Sequence, residues 1–498
     1  MEERFDIVII GGGVVGSMIA RALARYQLRT VLIEKESDIG MGASFANTAI
    51  VHAGYDPHPG SLKAEMNLRG NAMWDEVAQE LNVPFERCGD YVVAIGPEEL
   101  PRLDKLMEQG RRNGVPGMRV ISGEEMRKRE PLLNPATSGA LWAPSGGLCE
   151  PFSATLASAE NAIQNGARLM LETAFIDFIW QGKRIIGVQT SRGPLYCRWV
   201  VNAAGLFADE VMHKAGVRPE FKILPRRGEY LVFDEAEVPV KNVLFPVPTK
   251  ISKGILVTAS LHGNPLVGPT AQTGTDKEDR STTPPGLDEV IRGAQKMIPS
   301  INLRHTIAMF AGLRATGNAR CQAPGVAYHA DFIIEIPAGV DGLVNLGGIE
   351  SPGLTSAPAI AQRVVALLKD AGEPLEEKAD WNPLRPARPR FNRLPRALQS
   401  QLIASDPRYG RIVCRCEGIT EGEIVAEIHG PVPARTYDAL KRRTWAGMGR
   451  CQGSFDLPRV VAILSRELGI SPIEITKKGP GSEFLVRLTK DVEAEDGL

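Results

Sequence analysis

The feature that most constrains this chain is a glycine-spaced turn set between a strand and a helix near its start. Phe5-Asp-Ile-Val-Ile-Ile10 is an apolar run but for Asp6, as a parallel strand buried on both faces requires. Gly11, Gly13 and Gly16 follow as G-x-G-x-x-G, then a helical pattern from Val15 to Tyr26, then a second apolar strand from Thr30 to Ile33. A β-α-β unit of this kind opens a doubly wound parallel sheet. The first glycine permits the tight turn, the second lets a pyrophosphate reach the backbone, and the third lets the helix pack on the strand. The helix N-terminus adds unpaired N–H groups and the positive end of a dipole. Glu34 ends the second strand, where a carboxylate accepts hydrogen bonds from ribose hydroxyls and repels a 2′-phosphate; Lys35 follows it.

Three later segments select FAD over NAD. Gly42-Ala-Ser-Phe-Ala-Asn-Thr48 places Ser44, Asn47 and Thr48 where a long cofactor must pass closely. Val200 to Asp209 is an apolar strand ending in small residues, Ala204 and Gly205 among them, expected beside the opening turn. Leu346 to Ala359 is a glycine loop entering a helix, with Gly348, Gly353, Leu354 and Thr355 offering amides to the flavin carbonyl edge. No second G-x-G-x-x-G unit exists for a nicotinamide.

Short β patterns at Tyr91–Ile95, Gly254–Thr258 and Asp331–Ile336 predict a second, mostly antiparallel layer with a substrate pocket. A helix from Pro358 to Ala371 closes the main body. Prolines 374, 383, 386, 389, 395 and 407 then mark a connector over 371–411. The expected division is a body over 1–370, with nucleotide segments at about 1–80, 145–220 and 330–370 and substrate segments at about 81–144 and 221–329. A separate domain over 412–498 follows.

The 498 residues carry a formal net charge of -1, so no global field points to nucleic acid or an anionic membrane surface. Attraction for a small anionic substrate must come from local cations. No apolar run long enough to span a bilayer and no leader pattern is found. Of 7 cysteines, Cys88, Cys149, Cys197 and Cys321 are scattered, while Cys414, Cys416 and Cys451 fall in the last fifth. That distribution suits a reducing compartment and a local metal site, and a cytoplasmic protein is expected.

Taken together, residues 1–370 resemble the D-amino-acid-oxidase-like (DAO) flavoprotein superfamily. Within it they look like the glycerol-3-phosphate dehydrogenase branch, with L-2-hydroxyglutarate dehydrogenase as a near relative. The resemblance rests on Ala46–Tyr55 with Pro59–Lys63, Arg226–Tyr230, Leu261–Asn264 with Val267–Thr270, and Gly347–Thr355. It implies an α/β fold: a Rossmann-like FAD-binding domain interleaved with an α+β antiparallel-sheet substrate domain. It also implies hydride transfer from a carbon bearing OH or NH to the flavin, which needs a base and cations for the substrate's anionic end. His52 is the first choice of base and His262 its rival. Arg314 is the anion clamp that the resemblance turns toward substrate, its fork suiting phosphate or carboxylate. Lys253 and Tyr55 are weaker candidates, and Arg226 with Arg227 reads as a supporting pair. Glycerol 3-phosphate is preferred, with 2-hydroxyglutarate or an amine substrate as alternatives.

Cys414-Arg-Cys416, 34 residues, Cys451 and then Asp456 resemble the bacterioferritin-associated-ferredoxin-like (BFD-like) [2Fe–2S] domain, a small and mainly helical unit. That family carries four cysteines, and Asp456 stands at the fourth position here. A carboxylate can ligate iron; the alternative is a domain that has lost its cluster and serves assembly. The resemblance further implies a quinone-linked acceptor or a second flavoprotein subunit in a hetero-oligomer, peripheral to the membrane through its partner. A non-enzymatic electron-transfer or assembly subunit is the remaining alternative.

Overall fold

The computed structural model describes residues 4–217, 222–235, 239–248, 254–317, 331–388 and 390–487. Lys253 and Cys321 lie outside the described residues. The chain divides into two compact units, one of residues 1–33 and 40–385, the other of 34–39 and 386–498.

In the first unit, six strands form a sheet in the order Ile333–Glu335, Leu343–Gly347, Trp199–Asn202, Ile7–Ile10, Thr30–Ile33, Arg168–Met170. All neighbours are parallel except the first pair. Every residue of the two central strands is buried, and their side chains split by parity. Ile7, Ile9 and Leu32 pack with the helices Val14–Ala24, Pro151–Gln164 and Gly353–Asp370. Val8, Ile10, Val31 and Ile33 pack with the sheet Phe175–Gln181, Arg184–Thr190, Gly193–Tyr196 and the helix Ala208–Lys214. Burial of each such side chain stabilises by about 1.5–3 kcal/mol, which is why Ile7–Ile10 carries no polar residue.

A nine-stranded, largely antiparallel sheet forms the second layer of this unit. Its long central pair joins Ile223–Phe233 to Thr306–Gly317, with Arg226 opposite Arg314. Strands Asp90–Ile95 and Leu256–Ala259 belong to it as expected. Ile333–Glu335 does not: it is the antiparallel edge of the nucleotide sheet, because it hydrogen-bonds to Leu343–Gly347. The helix expected from Pro358 begins at Gly353 and carries Pro358 inside it. Ser356 N–H donates to Pro352 O at 3.0 Å, so the first turn is complete before the proline removes a single donor.

The proline-rich stretch is not a free connector over 371–411. Gln27 N–H donates to Glu376 O at 2.7 Å and Lys378 N–H to Arg25 O at 2.9 Å, holding its first half in the first unit. Arg385 Nε lies 2.6 Å from Glu160 Oε2, both side chains buried. Its second half folds with the C-terminal unit: Phe391 N–H donates to Glu423 Oε1 at 3.0 Å and Arg390 Nη1 to Thr444 O at 2.7 Å, and Arg396–Ser405 is a helix.

The C-terminal unit is built from helices Glu421–Ile428, Tyr437–Thr444 and Leu457–Leu468 around Ile424, Leu440, Val460 and Leu464. Thr420 and Glu423 cap the first of these reciprocally. Among the described residues no helix is long and apolar enough to cross a membrane.

Truncating Arg385 to Ala removes the buried guanidinium that pairs with the Glu160 carboxylate. We expect a loss of about 3 kcal/mol, read as a lower urea midpoint at unchanged slope; an unchanged midpoint would show the pair to be dispensable.

Candidate active site

At the glycine turn, Gly11 N–H donates to Ile33 O at 2.9 Å, and Ala203 N–H donates to Ile10 O at 3.0 Å. Gly11 has φ +106, and a Cβ there would fall 2.6 Å from Ala203 O. A Cβ on Gly16 would collide with the carbonyl of Gly11. Gly13 is the extended N-cap of the helix and supplies no side-chain cap, and the first turn holds no acid. Ser44 Oγ instead accepts Val14 N–H at 2.9 Å. Bare amides, a dipole end without a counter-acid and an approach open to backbone fit a pyrophosphate.

The other sequence-derived cofactor residues divide into lining and supporting positions. Asn47 shapes its loop, donating to Ala43 O and Ser44 O and accepting Ala49 N–H at 2.8 Å, next to Thr48. Ala204 and Gly205 close the strand beside the turn, Gly205 at φ +57. Gly348 at φ +65 turns the loop that leads to Gly353, Leu354 and Thr355 at the start of the helix. Thr355 Oγ1 accepts His52 N–H at 2.9 Å, and Trp74 Nε1 donates to Thr355 O at 3.0 Å. Glu34 follows Ile33 directly, and its Oε1 accepts Glu36 N–H at 3.0 Å; Lys35 lies 3.7 Å from Glu36.

His52 is fixed through its backbone: its carbonyl accepts from Asn67 Nδ2 and Asn71 Nδ2, both at 3.0 Å. Its Nε2 lies 3.3 Å from Ser351 Oγ, and its ring centroid is 5.9 Å from that of Phe245. His262 sits in a turn with its Nε2 3.8 Å from Glu150 Oε1. Tyr55 is buried in the apolar cluster with Leu141 and Phe245. Burial and the charges of Asp90 and Asp56 push its hydroxyl well above the usual range. Arg227 pairs with Asp279 at 2.9 Å.

Arg314 is a half-buried cation whose guanidinium is held by carbonyls among the described residues. Its Nε donates to Arg226 O at 3.3 Å, and its Nη2 donates to Thr270 O at 2.6 Å and Arg227 O at 3.5 Å. Burial lowers its pKa, with Tyr230 and Glu350 opposing the shift. No carboxylate pairs with it directly among the described residues.

Sequence reasoning missed a second cation beside it. Lys63 Nζ lies 3.0 Å from Glu350 Oε1, and Thr316 Oγ1 donates to Glu350 Oε2 at 2.7 Å. Burial alone would raise the Glu350 pKa, but Lys63, Thr316 and Arg314 outweigh it and hold the carboxyl below its usual range. One signal was available: Thr316 is two residues from Arg314 on one strand, hence on the same face.

In the C-terminal unit, Cys414 Sγ lies 3.6 Å from Cys416 Sγ, which lies 3.5 Å from Cys451 Sγ. Backbone N–H groups of Gly447 and Glu417 point at Cys414. A Cβ on Gly449 would fall 2.6 Å from Cys416 Sγ, so only glycine lets the loop come this close. Asp456 is buried beside Cys414; Tyr437 O–H donates to its Oδ1 at 3.0 Å, while Oδ2 has no nitrogen or oxygen hydrogen-bond partner among the described residues. Among the described residues no three His, Cys, Asp or Glu side chains close around a single ion. The row of sulfurs, the amides aimed at them and the carboxylate beside them together fit a cluster.

A nucleotide cradle on a doubly wound sheet, interleaved with an antiparallel layer that carries a half-buried cation, defines a flavin-dependent oxidoreductase. Residues 6–367 match the family model for FAD dependent oxidoreductases, and 412–466 match the BFD-like [2Fe-2S] binding domain. The chain belongs to the DAO family of FAD-dependent oxidoreductases, and FAD and a [2Fe–2S] cluster are its cofactors. It is 44% identical over 489 residues to a glycerol 3-phosphate dehydrogenase of Caloramator mitchellensis, covering 98% of this chain and 99% of that protein. A mitochondrial L-2-hydroxyglutarate dehydrogenase of Homo sapiens is 33% identical over 285 residues, 54% of this chain and 61% of that one. The dithionite-reduced L-alpha-glycerophosphate oxidase of Mycoplasma pneumoniae with FAD bound superposes with a TM-score of 0.71 at 32% identity, over 78% of this chain and 99% of that one.

Replacing Gly449 by Ala drives a methyl into the Cys416 sulfur. Iron per polypeptide is expected to fall about tenfold or more in the purified protein, and wild-type iron content would contradict the close approach.

Proposed function

We propose that this chain oxidises sn-glycerol 3-phosphate to dihydroxyacetone phosphate, electrons leaving through the C-terminal cluster to a partner protein or a quinone-linked acceptor. The observation that carries the reading is Arg314: a half-buried guanidinium held by carbonyls, with no direct carboxylate partner among the described residues, suits an anion from the substrate. The similarity over nearly the whole chain to a glycerol 3-phosphate dehydrogenase supports phosphate as that anion.

When bound, FAD supplies the hydride acceptor. Arg314 then orients the substrate by its anionic end, two of its nitrogens being already committed to carbonyls. His52 Nε2 takes the hydroxyl proton, with Ser351 Oγ beside it to fix the ring. Lys63 is neutralised by Glu350 at 3.0 Å, so the pair brings no net charge and leaves anion recognition to Arg314. His262 stands in reserve as the alternative base. Cys414, Cys416, Cys451 and Asp456 hold the cluster, Tyr437 fixing the Asp456 carboxylate from behind. A cytoplasmic enzyme that meets its acceptor through a second subunit fits this scheme.

Anaerobic titration with sn-glycerol 3-phosphate, L-2-hydroxyglutarate and L-proline in parallel tests the assignment. Only the first is expected to bleach the oxidised flavin; bleaching by another compound would move the chain to that substrate class, and bleaching by none would favour an electron-transfer or assembly subunit. His52→Ala is expected to slow flavin reduction about 10²–10⁴-fold at saturating substrate, whereas His262→Ala is expected to leave that rate within a few fold. The reverse ranking would make His262 the base.

A further inference from the structure

The C-terminal unit carries part of its sulfur row at the surface. Cys416 is exposed and Cys451 half-buried, whereas Cys414 and Asp456 are buried. Ser454 N–H donates to Cys451 O at 3.0 Å, closing a turn that leads straight into Phe455. Gly453 and Asp456 are buried in the same stretch, so the turn faces Phe455 outward, and it is 76% exposed. A single exposed apolar side chain needs no explanation. Phe455 is not single. Arg459 Nη1 donates to Ile412 O at 3.2 Å, joining the start of the helix Leu457–Leu468 to the strand Ile412–Cys414, and Ile412 is itself exposed.

Charge on the same segments is one-sided. Across 411–418 and 449–459, Arg415, Arg450 and Arg459 are exposed, and Arg411 is exposed with Glu421 3.3 Å away. The carboxylates of these two segments are Glu417, half-buried, and Asp456, buried. The whole chain carries a formal net charge of -1, so the positive excess is local to the cluster loops. Arginines around an exposed aromatic are the composition of a protein-binding surface.

We propose that the face carrying Ile412, Arg415, Cys416, Arg450, Phe455 and Arg459 docks an acidic one-electron carrier protein. Carboxylates of the carrier meet the arginines, and Phe455 fills the apolar centre of the contact. The proposal rests on the electron exit through the C-terminal cluster proposed above and adds the chemistry of the partner. Oxidation of one glycerol 3-phosphate releases two electrons and two protons. Two carrier molecules take one electron each, in succession, at this face, and the protons pass to water. Opposite charges speed each encounter, and a small apolar contact lets the carrier leave after each electron.

The test is binding of an acidic flavodoxin to the full-length holoprotein by titration calorimetry, with a basic cytochrome c as the opposite-charge probe. Flavodoxin is expected to bind at low ionic strength and to lose about tenfold or more in affinity between about 20 mM and 300 mM salt, as exposed charges are screened. Cytochrome c is expected not to bind. Arg415→Glu and Arg459→Glu are each expected to weaken flavodoxin binding about tenfold at low salt and to flatten its salt dependence. Phe455→Ser should weaken it about as much without changing that dependence. Wild-type iron content in each variant keeps loss of the cluster out of the comparison; if Phe455→Ser loses iron, Phe455→Leu takes its place, with a smaller loss expected. Equal affinity for the two probes, or arginine variants with wild-type affinity and salt dependence, would overturn the proposal. So would a Phe455-dependent dimer on gel filtration, which would assign the face to a second copy of this chain. Electron transfer to flavodoxin from dithionite-reduced protein should rank the variants as binding does. Binding with this ranking but no transfer would instead remove the electron exit on which the proposal rests.

Discussion

The contact on which the nucleotide half of the structure depends is the approach of three backbone segments at Gly11. The carbonyl of Ala203, the carbonyl of Gly11 and the α-carbon of Gly16 come so close that neither glycine could bear a side chain. This approach follows from the parallel register, in which Ile10 stands between Ile33 and Asn202. It sets where the opening helix starts, and so where bare amides face a phosphate. A methyl at either position would push the helix off the sheet and close the cradle.

The substrate half is organised by a different constraint, the twelve-residue strand Thr306–Gly317 paired along Ile223–Phe233. Pairing puts Arg314 opposite Arg226, and the carbonyls of Arg226, Arg227 and Thr270 then solvate the guanidinium. Carbonyl dipoles make burial of the charge tolerable without neutralising it, which a carboxylate would do. Among the described residues the cation is held by these carbonyls, with no direct carboxylate partner. Glu350 serves Lys63 in the ordinary way, by direct pairing, so the two cations of this region are prepared differently.

Much of this was legible in the residues. Apolar runs without alternation announced strands buried on both faces, and Thr30–Ile33 ends where Glu34 begins. Glycine spacing announced the cradle, because no other residue tolerates those contacts. The pattern failed where the decisive interaction is long-range. Asp331–Ile336 reads as an antiparallel strand, and it is one, but which sheet it joins depends on its partner Leu343–Gly347. Proline content suggested an open connector, whereas Glu376, Lys378 and Arg385 are tied down by Gln27, Arg25 and Glu160, residues more than two hundred positions away.

By itself the sequence determined the β-α-β opening, the glycines at the phosphate turn, the three sulfurs and the carboxylate in a fourth position, because these depend on residue type at fixed local spacing. Tertiary structure alone decided that carbonyls hold the Arg314 guanidinium, that Lys63 and Glu350 meet, and that Asp38 faces Arg442 and Arg443. Each of those is a balance between desolvation and partner geometry. It is set by which side chains the fold brings within about 3 Å, a distance at which charge pairing outweighs burial, and no local pattern encodes that.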